Sequence, residues 1–516
     1  MSEFYEKIKN YYGLNEEECR ELFREPSFSY LPTLEDEEEA IKAKQRILQA
    51  IKNKEKTLIY GDYDTDGIMS TSIIFKSIIK LGGSSSIFIP SRYIDGYGLN
   101  KENATKIANA GYKLVILVDN GITAIDEVKI LIDKNVDVII IDHHETLDTL
   151  PNANAIIHPA TTKYKDYEYN VSAGYLSFMF SSFLLEEVDE YLLALGGLST
   201  FSDLMTLKLY NREIAKLTLQ ILNKYKYKEF IYLTEKTYFD ENVLNSEIIP
   251  CINAIGRIVE DHKGRLLVYY FASSTESEKQ KYSSWMKKIN TSRKELTKLA
   301  YEQVKINPYE SGICLISTYP EGINGLLANK LLNENNKVSI VFSSSKIDPS
   351  VYVGSIRSKK GCNCLNLFEK LSHYIIRSGG HELAGGISIA KENFEFFKSE
   401  FNDYLSNVSL YDEEKYKIPV TLFDFNKDSY ETLRKFAPFG FGFQEPLFEI
   451  IDLPTNVLKY SRDEKHILTF LDNETRLFSF NIGKADLLNK SKETFDVKYS
   501  LNEYRSKLNI DILLSK

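Results

Sequence analysis

Cysteine is scarce in this chain: five in 516 residues, at positions 19, 251, 314, 362 and 364. None falls in a CxxC pair, and Cys362-x-Cys364 alone offers too few thiolates for zinc. This speaks against a disulfide framework or a structural zinc module, and reduced thiols in a cytoplasmic protein are expected. No run reaches the roughly 18 apolar residues of a membrane helix, and the start, Met1-Ser-Glu-Phe-Tyr-Glu, lacks a basic segment followed by an apolar one. Neither export nor a membrane partner is expected. A positive excess is also missing: 64 Lys and Arg face 73 Asp and Glu, net −9. An indiscriminate polyanion binder is thereby disfavoured, whereas a local basic groove is not. Residues 1–50 hold seven basic and twelve acidic side chains, so over half of the excess sits in this N-terminal segment. There is no internal repeat or low-complexity tract.

What the chain has is core material, with 43% apolar and 12% aromatic residues. Its length exceeds what one hydrophobic core sustains, so two to four domains are expected. Three apolar runs end in acids or imidazoles. Thr57-Leu-Ile-Tyr-Gly leads into Asp62, Asp64 and Asp66, then Gly67; Leu114-Val-Ile-Leu-Val ends in Asp119; Ile140-Ile ends in Asp142-His143-His144. From 57 to about 210, such runs alternate with helical segments at 68–81, 101–110 and 124–134, the βαβ pattern of a mainly parallel sheet. Ligand sites in such sheets lie at the carboxyl ends of the strands, where these residues fall.

Around this unit, residues 1–50 read as an N-terminal helical segment, with short helices near Pro26 and Pro32 and a longer one over 35–50. The catalytic unit runs 51–215 and a helical connector 216–305. The connector ends in a long helix over 276–304, with Trp285, Ile289, Leu296 and Leu299 on its apolar stripe. A second α/β unit spans 306–408, with strands at 338–343 and 351–355 and a Gly-rich loop at Gly379–Gly386. Residues 409–516 form the last domain; beyond Lys415, alternating strands at 457–460, 466–471, 477–482, 495–501 and 508–514 with little helix between them read as a small β-barrel. The fold class is therefore α/β: a parallel-sheet domain, a linking helix, a second α/β domain and a C-terminal barrel.

Carboxylates mixed with imidazole and without thiolate suit Mn²⁺ or Mg²⁺. Asp64 and Asp66 straddle one residue and can face different ions, and Asp203 supplies a further carboxylate. Two ions bridged by a shared carboxylate generate a hydroxide and clamp a phosphodiester for in-line attack. Asp-x-Asp-Gly by itself is ordinary turn chemistry, and Asp142-His143-His144 by itself can cap a helix. Three strand ends together are another matter, since several unpaired acids in one cleft are costly without a cation. Gly354-Ser355-Ile-Arg357 and Gly379-Gly380-His381 offer bare backbone and a guanidinium to a phosphate, and Arg92 and Arg257, also beside glycines, are further candidates. His158, His262, His373 and His466 lack such company and read as surface or core histidines.

These segments, with Pro90-Ser-Arg92 through Gly98, Asn211-Arg212, Asn253-Ala-Ile-Gly-Arg257 and Pro438-Phe-Gly-Phe-Gly442, resemble in order the DHH phosphoesterase superfamily, and within it the RecJ family. The resemblance implies a DHH domain, a linking helix, a DHHA1 domain and an OB-fold that grips single-stranded DNA. It implies Asp64, Asp66, Asp119, His143 and Asp203 as ligands of two ions, Mn²⁺ or Mg²⁺, with Asp119 bridging. It also implies catalytic roles for His144, Asp142 and His381, with Arg92, Arg257, Ser355, Arg357, Gly379 and Gly380 holding the 5′ end. The implied activity is a 5′→3′ single-strand exonuclease of DNA repair and recombination, releasing nucleoside 5′-monophosphates. It would act as a monomer alongside a single-strand-binding protein and a helicase. Two departures stand out: Tyr60 replaces the ligand His of related pyrophosphatases, leaving Asp62 as the extra candidate ligand, and Thr318-Tyr-Pro-Glu-Gly322 keeps only the Gly of a His-Gly pair. A phosphodiesterase of short oligonucleotides or cyclic dinucleotides, and a non-catalytic strand-binding protein, stay open as alternatives.

Overall fold

Runs of β-branched and aliphatic residues form the first sheet: β1 (Thr57–Tyr60), β2 (Ser86–Phe88), β3 (Leu114–Val118), β4 (Asp137–Ile141) and β5 (Ala155–Ile157). All neighbours are parallel, in the order β2-β1-β3-β4-β5. Tyr60 lies beside Leu117 and Val118 beside Ile141, so the chain leaves β1, β3 and β4 at one lip. β1 and β3 are buried throughout, as strands covered on both faces must be. The computed structural model describes residues 3–162, 170–411, 416–424, 426–451, 458–471, 475–479, 494–502 and 507–513. They divide into two units, Ser27–Asp412, which holds this sheet, and Met1–Pro26 with Glu413–Lys516.

In the larger unit, helix Thr65–Lys80 begins three residues earlier than its apolar period suggests, because the Asp64 side chain caps it by accepting from Gly67 N. It packs on helices Ala173–Leu185 and Glu190–Ser202, both apolar on nearly every side because nearly every side is buried. Helix Glu276–Glu302 links to the second α/β part. Its buried line is Ser283, Met286, Asn290 and Ala300, whereas Leu299 is 48% exposed. The expected stripe is thus rotated by about one residue, since polar Asn290 faces inward and hydropathy alone misplaced the seam.

The second sheet is mixed: β6 (Ile313–Ile316), β7 (Ser339–Ser344), β8 (Val351–Arg357), β9 (Ile375–His381) and β10 (Ala384–Ala390), in the order β6-β7-β8-β10-β9. The Gly379–Gly386 segment, expected as a loop, is instead a hairpin. Gly379 pairs with Gly386 and Gly380 with Gly385, turning at Glu382-Leu383. Bare glycines pair without side-chain conflict, and β9 is an exposed edge.

In the smaller unit, helices Glu3–Tyr11 and Glu16–Phe23 join the core of the C-terminal strands. Phe4, Tyr5, Ile8 and Cys19 pack among Ile418, Leu433, Phe436, Phe448 and Ile467, with Phe4 stacked on Phe448 at 5.6 Å. The 1–50 segment is therefore divided: Met1–Pro26 belongs with the C-terminal strands, while helix Glu38–Lys52 packs against β5 of the first sheet. β11 (Lys417–Val420), β12 (Leu447–Ile451), β13 (Ile467–Phe470), β14 (Thr475–Ser479), β15 (Thr494–Asn502) and β16 (Lys507–Leu513) pair in the order β11-β12-β15-β16-β14-β13. Of the expected strands, residues 457, 480–482 and 514 lie outside the described residues. Among the described residues, no helix is long and apolar enough to cross a membrane.

Candidate metal centre

The lip of the first sheet carries the acids and imidazoles. After β3 the chain turns sharply: Asp119 has φ +59° and Gly121 φ +111°. Asp tolerates the left-handed region better than most residues, at a cost of about 1–2 kcal/mol. Asn120 fastens the turn, its side-chain N–H donating to Val118 O at 2.8 Å and Gly61 O at 3.2 Å. After β1, Gly67 lets the helix close onto the Asp62 backbone, from which a Cβ would stand only 2.6 Å away. The Asn253 side-chain oxygen accepts from Thr65 N at 2.8 Å and Thr65 Oγ1 at 2.9 Å, fixing the same helix start from another element.

Three overlapping groups result: Asp62, Asp64 and Asp119; Asp66, His143 and Asp203; Asp119, His143 and His144. In each, one potential ligand atom per residue lies within 4.8 Å of the others. His143 Nε2 stands 3.4 Å from Asp119 Oδ1, 3.4 Å from Asp203 Oδ2 and 3.6 Å from Asp66 Oδ2. These are not ion pairs, because burial, with His144 beside it, pulls the His143 imidazole down to about 3 and leaves it neutral. Burial, then the neighbouring carboxylates, pushes Asp62 and Asp119 well above the usual carboxylate range, Asp66 up to about 7 and Asp203 up to about 8. Among the described residues, Asp62 Oδ1 and Asp119 Oδ1 are buried without a hydrogen-bond partner, and His143 is buried beside them. Buried acceptors left without donors, around a neutral imidazole, fit a divalent cation. Asp119 and His143 each belong to two groups, as residues between two ions do.

A supporting layer holds these ligands. The first turn of helix Ala173–Leu185 grips Asp66 through Ala173 N at 2.9 Å and Gly174 N at 2.7 Å. Asp142, 1% exposed, accepts from Ile122 N, His143 N and His144 Nδ1, the last at 2.8 Å. It stands behind His144 as its positioning group. Burial works against a charge on His144, but Asp142, then Asp203 and Asp66, outweigh it and raise the imidazole to about 9. His144 Nε2 reaches Tyr97 Oη at 2.9 Å, and the group borders an open cavity of about 490 Å³. His158, read from sequence as an ordinary histidine, lines that cavity and bonds His144 O at 2.9 Å. Nothing in its own segment signals this. Tyr60 is fully buried and turned away, its hydroxyl donating to Gly98 O at 2.9 Å, while Asp62 takes part in the cluster.

The arginines gather around glycines. Arg92 lies 4.5 Å over the Tyr63 ring and donates to Gly256 O at 3.3 Å. Arg257 donates to Gly322 O at 3.3 Å. Gly322 has no room for a Cβ against Arg257 O, which accounts for the one residue kept of its motif. A Cβ on Gly325 would stand 2.8 Å from Arg357 Nη2 and 3.6 Å from Ser355 Oγ. Burial lowers Arg257 to about 10, and Arg92, Arg293 and Arg357 add to the effect. Gly379, Gly380 and His381 lie exposed on β9, and among the described residues no hydrogen bond or ion pair joins them to the acid cluster.

Residues 56–195 match the N-terminal domain of the DHH family, residues 313–407 the DHHA1 domain and residues 416–516 the RecJ OB domain. The chain is 30% identical over 494 residues to the single-stranded-DNA-specific exonuclease RecJ of Bacillus subtilis, a match that covers 90% of this chain and 61% of that protein's length. It is 26% identical over 522 residues to the protein of the same name from Haemophilus influenzae, covering 91% and 88%. Its fold is like that of RecJ from Thermus thermophilus, solved with Mn²⁺: TM-score 0.84, 20% identity, 99% of this chain and 75% of that one. Its acid-bearing parallel sheet and linking helix thus come with three domain matches in the order DHH, DHHA1 and RecJ OB, and the chain is similar to RecJ proteins over most of its length.

Proposed function

We propose that the chain is a metal-dependent exonuclease that degrades single-stranded DNA in the 5′→3′ direction, releasing nucleoside 5′-monophosphates in repair and recombination. One observation carries this: buried carboxylate oxygens without a donor among the described residues, and a neutral imidazole, lie within electrostatic reach of Arg92 and Arg257, neither of which makes an ion pair there. Asp62, Asp64, Asp66, Asp119, His143 and Asp203 would hold two ions, Mn²⁺ or Mg²⁺, with Asp119 shared. Bound there, the ions supply a nucleophile at neutral pH and neutralise charge on the phosphate. His144, held by Asp142 and 42% exposed, would offer a phosphate oxygen its Nε2 side, which in the free protein meets Tyr97 Oη. Arg92, Arg257 and Arg357, with Ser355, hold the strand's 5′ end, and His381 with Gly379 and Gly380 offers a further phosphate contact from an open strand edge. The 409–516 domain would add a grip on the strand, and the names of the relatives support a single-strand exonuclease over a dinucleotide phosphodiesterase. The domains at 51–215, 216–305 and 306–408, a cytoplasmic location, a monomeric state, and a single-strand-binding protein and a helicase as partners belong to the same reading. The test is purified protein with Mn²⁺ on end-labelled single and double strands. The expected result is loss of the single strand from its 5′ end, abolished by chelator; an untouched single strand overturns the proposal.

A further inference from the structure

Arg46 shows a paired arginine: it bonds Asp137 at 2.5 Å and Glu55 at 2.6 Å. Arg293, on helix Glu276–Glu302, is treated differently. Its Nε is buried without a partner, and among the described residues its guanidinium makes no hydrogen bond or ion pair. Three residues on, Leu296 packs against the same apolar cluster as Ile258, a cluster that contains Ile323, and these are the chain neighbours of Arg257 and Gly322, so Arg293 shares a helix face with the side that meets the arginine-bearing segments. Its charge is felt at Arg257 together with those of Arg92 and Arg357. Cys251, also nearby, offers no compensation, because burial raises its thiol to about 12 and keeps it neutral. A partly buried guanidinium that among the described residues has neither carboxylate nor carbonyl partner, close to three others that make no ion pair there, is costly for the free protein and is favoured when an anion arrives.

We propose that Arg293 is a further phosphate-binding residue of this cleft, contacting a phosphate of the bound strand from the linking helix. The inference rests on the reading of the cleft as a nucleic-acid site and deepens it. Either a terminal phosphate monoester or an internal diester presents the same oxygens to a guanidinium.

The experiment measures binding of a fluorescent single strand, with a 5′-phosphate or a 5′-hydroxyl, to the full chain carrying Asp119→Asn, with and without Arg293→Gln, across a salt titration. Loss of one phosphate contact flattens the slope of log K against log salt by about 0.7 for a single strand and weakens binding about tenfold at moderate salt. A loss confined to the 5′-phosphorylated strand assigns the terminal phosphate; an equal loss on both assigns an internal one. Arg293→Lys should restore most of the slope, and Arg293→Met, which keeps the apolar stem, should leave Tm unchanged or higher. An unchanged slope, with or without a Tm loss in Arg293→Met, overturns the proposal alone, whereas a strand that fails to bind even the Asp119→Asn protein overturns the reading of the cleft and the proposal with it. The binding arms need no turnover, so failure of the nuclease reading and failure of this one are separately visible.

Discussion

Replacing Asp119 with Asn should make the metal-free protein more stable and the metal-loaded protein inactive. Asp119 is 2% exposed, its Oδ1 has no donor, and Asp66, Asp64, Asp62 and Asp203 all act against its charge. Asn keeps the shape and removes the charge. An uncompensated buried polar group costs about 1–3 kcal/mol, and about 1 kcal/mol moves Tm by roughly 2–4 °C in domains of about 150–250 residues and by less in larger ones. In chelator at pH 8 the variant should therefore melt above the parent, by up to roughly 12 °C. Binding of Mn²⁺ at about a hundredfold over Kd adds about 2.7 kcal/mol to the parent and far less to the variant, which has lost the shared ligand. The order of the two Tm values should then reverse, while the exonuclease rate falls by at least about a hundredfold. Thermal melts with and without Mn²⁺, alongside a single-strand degradation assay, read all three. A variant less stable than the parent in chelator, or equal Mn²⁺ shifts in both proteins, would refute the reasoning.

Two further outcomes follow from the same geometry. Asp66 and Asp203, raised to about 7 and 8, carry a penalty that is absent below about pH 4 and complete above pH 8, and His144, raised to about 9, contributes stability that is present below its unfolded value and lost as pH rises through about 9. His143, lowered to about 3, opposes the carboxylates only below about pH 6.5, so metal-free Tm should fall between pH 6.5 and 9 while the Mn²⁺-induced shift grows; melts at several pH values with chelator or Mn²⁺ check this. Gly325→Ala would place a methyl 2.8 Å from Arg357 Nη2, the movable end of a long side chain, so KM for the strand should rise several-fold with Tm within about 2 °C, as steady-state kinetics and a melt would show.

The parallel sheet was legible because its strands are unbroken β-branched runs and its helices carry a clear period. The acid cluster was legible because the residue after an apolar strand in such a sheet has one place to be. The Gly379–Gly386 hairpin was not, since glycines mark a loop and a close strand pair alike. The inward line of the linking helix was obscured because its seam is built on Ser283 and Asn290 rather than on its apolar residues.

Local pattern by itself determined the strand ends bearing Asp62, Asp119, Asp142 and His143, since periodicity and the residue at a strand terminus are short-range properties. Only tertiary structure decided that Met1–Pro26 completes the core of the C-terminal strands, that His158 braces His144, and that Arg293, without an ion pair among the described residues, acts on Arg257. Each of these joins segments far apart in the chain, and the cost of an unmet charge or an uncovered apolar face exists only once the fold has set the surroundings.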